Sequence, residues 1–306
     1  HPVLIKTALL IALTLMIADV VYLTFKDQYS TDIRVTSIDV GQGSATLFQL
    51  PGAVNMLIDG GGSYDSSFDI GKLVIAPFLY AKRIRKIDIV VLTHPHPDHL
   101  QGLIYILENF NVREVWCTGL KAENDLYLLW EKTISERKIK MKYLSSQSPP
   151  VNISGVQIHF LWPLPPDSRE DWETSKDEIN DSSLVMKITS GTESFLVTGD
   201  ISSCVETRLI ESGQNLKSDI LFVPHHGSNH SSSPDFIRAV SCRYAIISAG
   251  KRNVFRHPHP DVLDRYISAG IHIFRTDKNG AISVETDGKT MNITPWLTNP
   301  LPEDRP

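Results

Sequence analysis

Cysteine is scarce in this chain, with 3 in 306 residues. Cys117, Cys204 and Cys242 are far apart and odd in number, which excludes a disulfide framework and a thiolate zinc site. The chain also lacks a G-x-S-x-G elbow, a Walker loop and a dinucleotide fingerprint, so an activated serine or a glycine-cradled nucleotide is not expected. Positive charge is in deficit, with 30 Lys and Arg against 35 Asp and Glu and a net charge of −5. Bulk electrostatics therefore draw no polyanion to it, and a phosphate-rich partner must be met by a local patch or by metal. Short repeats and heptads are missing as well. What remains is 42% hydrophobic and 21% charged, enough core for one large or two modest globular domains.

One long apolar run is present. "VLIKTALLIALTLMIADVVYLTF", residues 3–25, is broken only by Lys6, Asp19 and a few threonines. As a helix it reaches roughly 30 Å, the thickness of a bilayer core. Apolar residues cover every face, and neither a basic leader nor a small-residue cleavage site accompanies them. The expectation is a transmembrane helix over residues 1–26, in a piece of a longer membrane protein whose orientation the few flanking charges do not fix. Residues 27–32 then form a polar hinge, 33–294 the main domain and 295–306 a tail.

Strands and helices alternate through that domain. "IRVTSIDV" runs into the Gly41-Gln42-Gly43 turn, and "ATLFQL" and "VNMLID" read as a hairpin ending on Asp59 and three glycines. Helices are expected around 73–83 and 126–137, from "LIYILENF", from Ser203 and after Pro260; further strands are "IDIVVLT", 112–116, 140–144, "SLVMKIT", "SFLVTGD", "DILF" and "YAIISAG". Residues 163–182, proline-rich and then acidic, read as a surface loop. Asn279-Gly280 and Asp287-Gly288 predict two hairpin turns near the end. The pattern is that of a layered α/β protein whose strands discharge polar clusters at their C-terminal ends.

Those clusters carry the chemistry. "VVLTHPHPDHLQG", residues 90–102, sets His94, His96, Asp98 and His99 just after an aliphatic strand. Asp200 follows "VTG", His225 and His226 follow "FVP", and His257 and His259 lie in "RHPHP". Histidines and aspartates without cysteine suit Zn²⁺, Mn²⁺ or Fe²⁺. Alternate residues of an extended loop point the same way, so His94 and His96 are expected to hold one ion, with Asp98 and His99 facing a second. Asp200 is the natural bridge. His1, His159, His230 and His272 are read as ordinary surface or core residues. "GKRNVFR" places Lys251, Arg252 and Arg256 ahead of His257 as a basic rim. Ser228 and the Ser231–Ser233 run are candidate phosphate donors, with a plain polar turn an equal reading.

"THPHPDH" with "VTGD" resembles the metallo-β-lactamase fold. "SIDVGQGSATLFQLPG", "LIDGGG", "THPHPDHLQG", "VTGD", "VPHHGS" and "NVFRHPHP" together resemble, in order, the C-terminal domain of the ComEC-type competence DNA-uptake channel family, across nearly all of residues 33–293. The resemblance implies an α/β fold, an αββα four-layer sandwich of the metallo-β-lactamase type preceded by a transmembrane helix. It also implies a two-metal hydrolase, on Zn²⁺ or Mn²⁺, that degrades the DNA strand not imported. Its partners would be DNA, the membrane and the rest of a channel in the bacterial plasma membrane, with the domain on the outer face.

By the same resemblance, His94 and His96 hold the first ion, Asp98 and His99 the second, and Asp200 bridges. His226 replaces the further ligand histidine that the superfamily carries between the first motif and the bridging aspartate, with His225 as the fallback. His257 completes the second ion, leaving His259 to support it or to move protons. Asp59 orients the H-x-H loop from behind, while Asp39 and the Gly41–Gly43 turn set the fold beside the site. Departures from the family are Gln101 for a glycine, Ser44 for an acidic residue and Arg256 for a small one. None removes a ligand; Asp98, Asp200 and His226 remain as catalytic candidates. The expected reaction is attack on a phosphodiester by a hydroxide held between two ions. A phosphorylcholine-type esterase and a non-catalytic DNA guide at a channel mouth are the alternatives.

Overall fold

The computed structural model describes residues 2–62, 68–165 and 178–298, without the side chains of residues 2, 20–29 and 178. Most of the loop expected over 163–182, and the tail from 299, lie outside the described residues.

The first helix, α1, spans Pro2–Tyr29 and leaves large apolar side chains exposed, among them Leu9, Leu10, Ile11 and Met16. Among the described residues, no helix is long and apolar enough to cross a membrane. The C-terminal part of the span expected over 1–26 falls on the side chains that are not described.

Two sheets follow. The first holds eight strands: β1 (Ile33–Ser37), β2 (Thr46–Leu50), β3 (Val54–Ile58), β4 (Lys86–Val91), β5 (Asn111–Cys117) and β6 (Lys140–Tyr143), with β14 (Ile282–Thr286) and β15 (Met291–Pro295) beyond β1. The second holds seven, ordered β13 (His272–Arg275), β12 (Tyr244–Ile247), β11 (Ile220–Phe222), β10 (Glu193–Val197), β9 (Val185–Ser190), β8 (Val156–Trp162) and β7 (Val151–Ile153). Alternating residues of the two sheets interdigitate in one apolar layer. There Phe48 meets Phe195 edge-on with ring centroids 5.6 Å apart, and Trp116 and Phe160 pack likewise at 5.7 Å.

Each sheet's outer face is covered by helices. A π-turn (Gly71–Ile75) continued by α2 (Ala76–Ala81), then α3 (Pro97–Asn109) and α4 (Asp125–Arg137), bury Leu100, Leu103, Leu107 and Trp130 against the first sheet. The one-turn α5 (Glu178–Asp181) precedes β9, while α6 (Ser203–Glu211), α7 (Pro234–Val240) and α8 (Pro260–Ser268) bury Val205, Phe236 and Tyr266 against the second. The result is a four-layer αββα arrangement.

One expected turn is corrected. Asn279-Gly280 does not close a hairpin: β13 pairs parallel with β12 in the second sheet, and β14 pairs antiparallel with β1 in the first. A one-turn helix, α9 (Thr276–Asn279), carries the chain between sheets and ends at Gly280 with φ +64°. Asn-Gly serves helix ends as readily as type I′ turns, because both require a left-handed residue. Asp287-Gly288 does join the antiparallel β14 and β15, its Asp287 carboxylate accepting from the N–H groups of Lys289 and Thr290.

Candidate metal centre

Parallel strands of both sheets end at one rim: β3, β4 and β5 from the first, β10, β11 and β12 from the second. Beyond β4 the chain turns through His94 and His96 into α3, where Pro97 suits a first helical position whose N–H would lack a partner. Close backbone approach fixes this turn. The N–H of Gly60 donates to the His99 carbonyl at 2.7 Å, and a Cβ on Gly102 would stand 2.0 Å from the Gly60 carbonyl oxygen. Gly43 likewise leaves room for the Asp98 carbonyl, which accepts from Ser44 N–H at 3.1 Å. The glycines of "GQG" and "DGGG", with Gly102 in the helix itself, thus bring two loops to van der Waals distance of the helix that carries Asp98 and His99.

From the second sheet come Asp200, after β10, and a 3-10 turn over Pro224–Gly227 after β11. His225 and His226 both sit in the left-handed region, at φ 52° and 54°. For residues with a Cβ this costs on the order of 1 kcal/mol or more each. Surrounding bonds hold the turn: His225 N–H to the Gly199 carbonyl at 3.2 Å, and His226 Nδ1–H to the Ser248 carbonyl at 2.9 Å.

Asp98, His99, Asp200 and His226 converge so that one ligand atom of each lies within 4.8 Å of the others. The two Nε2 atoms of His99 and His226 are 3.3 Å apart. Asp200 Oδ1 is 3.3 Å from the first, Asp200 Oδ2 3.3 Å from the second, and Asp98 Oδ2 3.4 Å from His226 Nε2. His94 adjoins them, its Nε2 3.9 Å from Asp200 Oδ2 and its ring centroid 4.2 Å from that of His99.

These groups fit a divalent ion. His226 Nδ1 must donate to a carbonyl, and His99 Nδ1 lies 2.7 Å from an Asp59 carboxylate oxygen, so in the neutral ring each Nε2 keeps its lone pair and aims it at the other. Ligands about 2.0–2.1 Å from a tetrahedral ion stand about 3.3–3.4 Å from one another, which is the spacing found. His94 Nε2 is buried without a hydrogen-bond partner beside them. A structural histidine would not leave that nitrogen bare.

The electrostatics agree. Burial opposes the imidazolium of His99 and of His226, yet the carboxylates of Asp200 with Asp59, and of Asp200 with Asp98, outweigh it. They hold His99 well above its ordinary pKa and push His226 up to about 10. Burial likewise opposes the carboxylates of Asp98 and Asp200, and the two imidazoles pull both below the ordinary range. The cluster calls for positive charge, which a divalent ion would supply in place of protons. His94, where burial dominates and the neighbouring His99 adds to it, stays well below 6.5 and is neutral.

Other expected residues take varied places. Asp59 is 1% exposed and accepts from Thr93 N–H at 2.9 Å and Thr93 Oγ1 at 2.8 Å in addition to His99. It therefore grips both the residue before His94 and a member of the cluster. His226 falls with Asp98, His99 and Asp200 rather than beside His94 and His96. His96 is half-buried, its ring 4.9 Å from that of His94. His257 lies further out, 5.7 Å from the His225 ring and stacked at 5.8 Å on Phe255. Its Nδ1 is buried without a partner, and burial, with the positive fields of His226 and His225, brings its pKa down to about 4. His259 is outside the cluster: its Nδ1 accepts from Asp261 N–H at 3.3 Å and caps α8. Lys251, Arg252 and Arg256 are exposed on the loop before His257, which Asn253 clamps from both sides. Ser228 is buried and its Oγ accepts from His230 N–H, while Ser231, Ser232 and Ser233 bond within the fold.

Three supporting residues carried no signal strong enough to single them out. Thr93 links Asp59 to the His94 ring, with its Oγ1 3.1 Å from His94 Nδ1. Ser183 Oγ lies 3.3 Å from His94 Nδ1 and accepts from Asp200 N–H at 3.0 Å. Ser248 reaches the cluster through its carbonyl, while its hydroxyl lies 3.1 Å from that of Ser37.

With this geometry in hand, the similarities to known proteins are specific. Residues 38–251 match the family model of the metallo-beta-lactamase superfamily. The ComE operon protein 3 of Bacillus subtilis is 34% identical over 269 residues, covering 83% of this chain and 33% of that protein. The competence protein ComA of Neisseria gonorrhoeae is 30% identical over 252 residues, covering 82% and 32%. The chain therefore spans about a third of the length of these relatives. Among solved structures, a metallo hydrolase from the archaeon Ignicoccus hospitalis superposes with a TM-score of 0.51 at 13% identity, over 83% of this chain and 98% of that one.

Proposed function

The chain belongs to the metallo-beta-lactamase superfamily, as a metal-dependent hydrolase domain of the ComEC competence type, and from that premise we propose that it is a two-metal phosphodiesterase that cleaves DNA during uptake. The observation that carries the reading is the convergence of Asp98, His99, Asp200 and His226, with the bare Nε2 of His94 at its edge. In this reading His94 and His96 would hold one ion, Asp98, His99 and His226 the other, and Asp200 would contribute to both.

When bound, such ions supply Lewis acidity toward phosphoryl oxygens and make water acidic enough to be a nucleophile near neutral pH. The protein's own part is preparation. Asp59 and the Ser248 carbonyl set the tautomers of His99 and His226 so that both Nε2 lone pairs face inward. Asp98, 19% exposed at its side chain, is the one cluster member open to an arriving substrate. It is placed to hold a proton of the attacking water. The loop of Lys251, Arg252 and Arg256 would attract the phosphate backbone toward the rim.

The membrane tether through α1, a place in a larger channel protein on the outer face of the bacterial membrane, and selection of the non-imported strand belong to the same reading. The competence relatives and the apolar side chains that α1 exposes support the membrane and DNA-uptake context of this reading.

The test combines elemental analysis of the purified chain with cleavage of single-stranded DNA and of a chromogenic phosphodiester in Mn²⁺, Zn²⁺ and EDTA. Two bound ions and EDTA-sensitive DNA cleavage are expected. Hydrolysis of the small diester alone would redirect the reading to a small phosphoesterase, and DNA binding without any cleavage to a guide.

A further inference from the structure

A sizeable cavity lies away from the metal cluster. It has a volume of about 590 Å³ and lies on the outer face of the second sheet, sharing no residue with the small cavity at the metal cluster. Helices α6, α7 and α8 cover that face over β10–β13. Outward-facing residues of β8 and β9 are polar instead: Gln157 and His159 on one strand, Lys187 and Thr189 on the other.

Lysine in the middle of "SLVMKIT" is unexpected in a strand, and its partner makes it more so. His159 stands directly opposite Lys187 in the antiparallel ladder. Facing positions bring side chains to about 5 Å, close enough for the imidazole and the ammonium to approach one anion together. Lys217, from the connection between α6 and β11, adds a third basic group to the wall.

Among the described residues, no carboxylate lines this cavity. The acid nearest to Lys187 in effect, Asp219, is already engaged by Ser194 N–H at 2.9 Å, Ser194 Oγ at 3.0 Å and Arg243 Nε at 3.2 Å. Lys187 is half-buried and its ammonium donates to the Asn215 carbonyl at 3.1 Å, which holds it at the cavity floor. Beside it stands the hydroxyl of Thr189, a short neutral group that can donate to an oxyanion, while the donors of Thr192 and Gln214 are held by Gly288, Leu161 and Ser212 and shape the wall. The volume falls within the range of small-molecule sites, about 300–1,000 Å³.

We propose that this cavity is a second site, separate from the metal cluster, that binds the phosphate group of a nucleotide between His159, Lys187 and Lys217. The choice of a nucleotide over other phosphate esters rests on the DNA-cleaving reading; the anion site itself does not.

The experiment is hydrogen exchange and calorimetry on the full chain with thymidine 5′-monophosphate, thymidine, inorganic phosphate and an oligothymidylate lacking terminal phosphates. The monophosphate is expected to protect segments 187–194 and 214–217 and to bind at least tenfold more tightly than thymidine. Inorganic phosphate should compete with it, and the oligothymidylate should not protect these segments better than thymidine does. Lys187→Met with Lys217→Ala should weaken binding at least tenfold, and Lys187→Arg should restore most of it at an unchanged thermal midpoint. Protection confined to residues 94–99 and 225–227, affinity in the double variant within twofold of the parent, or equal binding of thymidine and its monophosphate would overturn the proposal. Since none of these readouts requires DNA cleavage, loss of the hydrolytic reading leaves the site standing, and loss of the site leaves the hydrolytic reading intact.

Discussion

Replacing Asp59 with asparagine tests whether the cluster is built to receive an ion. The carboxylate accepts from Thr93 N–H through Oδ1, and from Thr93 Oγ1 and His99 Nδ1 through Oδ2. An asparagine can keep the first bond with its carbonyl oxygen, which places its NH₂ against the other two groups. That NH₂ needs acceptors, so the His99 ring is driven to the tautomer with its lone pair on Nδ1 and an N–H on Nε2, aimed into the cluster. One inward ligand becomes a donor. Changes of this kind behind a metal-binding histidine weaken affinity about 10–100-fold, or about 1.4–2.7 kcal/mol. Zinc titration against a chromophoric chelator gives the affinity, and circular dichroism verifies that the variant is folded. Asp88→Asn is the control, another buried carboxylate, paired with Lys86 at the far end of β4. It should leave zinc affinity unchanged. If folded Asp59→Asn binds zinc within twofold of the parent, the tautomer argument is wrong and with it the role given to Asp59.

Without ions, stability should fall as pH rises past neutrality. In the ion-free protein His99 is raised well above 6.5 and His226 to about 10, so the folded state binds more protons than the unfolded one in that window. Their stabilisation is complete below about pH 6.5 and is lost as pH rises toward 10, while that of the depressed Asp98 and Asp200 is lost only in acid. Thermal midpoints in EDTA should therefore fall from pH 6.5 to 10, and zinc binding at pH 7 should release protons, measurable by calorimetry in buffers of different ionisation enthalpy. Asp200→Asn should abolish DNA cleavage, by 10³-fold or more on the scale of lost metal catalysis, with the fold retained by circular dichroism. Gly102→Ala, whose Cβ would stand 2.0 Å from the Gly60 carbonyl oxygen, should cost at least about 2 kcal/mol in urea unfolding, because backbone rather than a flexible side chain must move. Arg252→Glu with Arg256→Glu should raise KM for oligonucleotide and flatten its salt dependence, with a smaller effect on a chromogenic diester.

Much of this was legible in the chain itself, for identifiable reasons. His94, His96, Asp98 and His99 stand within one strand-loop-helix passage, so adjacency in sequence becomes adjacency in space without long-range information. Asp200 and His226 were legible because an apolar strand precedes each, and strand ends at one rim of a layered fold meet. Less visible was the grouping. Which side chains His226 joins depends on the direction its ring takes from a left-handed backbone and on the Ser248 carbonyl, and neither leaves a mark in composition. His259 carries a second, structural signal, and its backbone N–H donates to the Gly227 carbonyl beside His226 at 2.9 Å. A histidine followed by Pro260 and Asp261 carries the pattern of a helix start, and its imidazole does cap α8. The density of histidines around it made a site residue the more attractive reading.

The places where local preference is violated are the places where chemistry is expected. Two consecutive histidines in left-handed conformation, the buried Asp200 carboxylate with that of Asp98 beside it, and an imidazole nitrogen with no partner each oppose folding when taken alone. They persist because the surrounding contacts over-determine them: glycines packed backbone to backbone at Gly60 and Gly102, Asp59 holding Thr93 and His99, and the Thr93 carbonyl accepting from Leu184 N–H to tie one sheet to the other. A mere surface loop of histidines would need none of that support. An ion that enters the cluster relieves several of these costs at once, replacing inward protons and satisfying the lone pairs, so metal binding and folding should be thermodynamically linked in this domain. Raising zinc at fixed pH should therefore lift the thermal midpoint steadily, and a midpoint indifferent to zinc would mean that the strain at His225 and His226 serves something other than an ion.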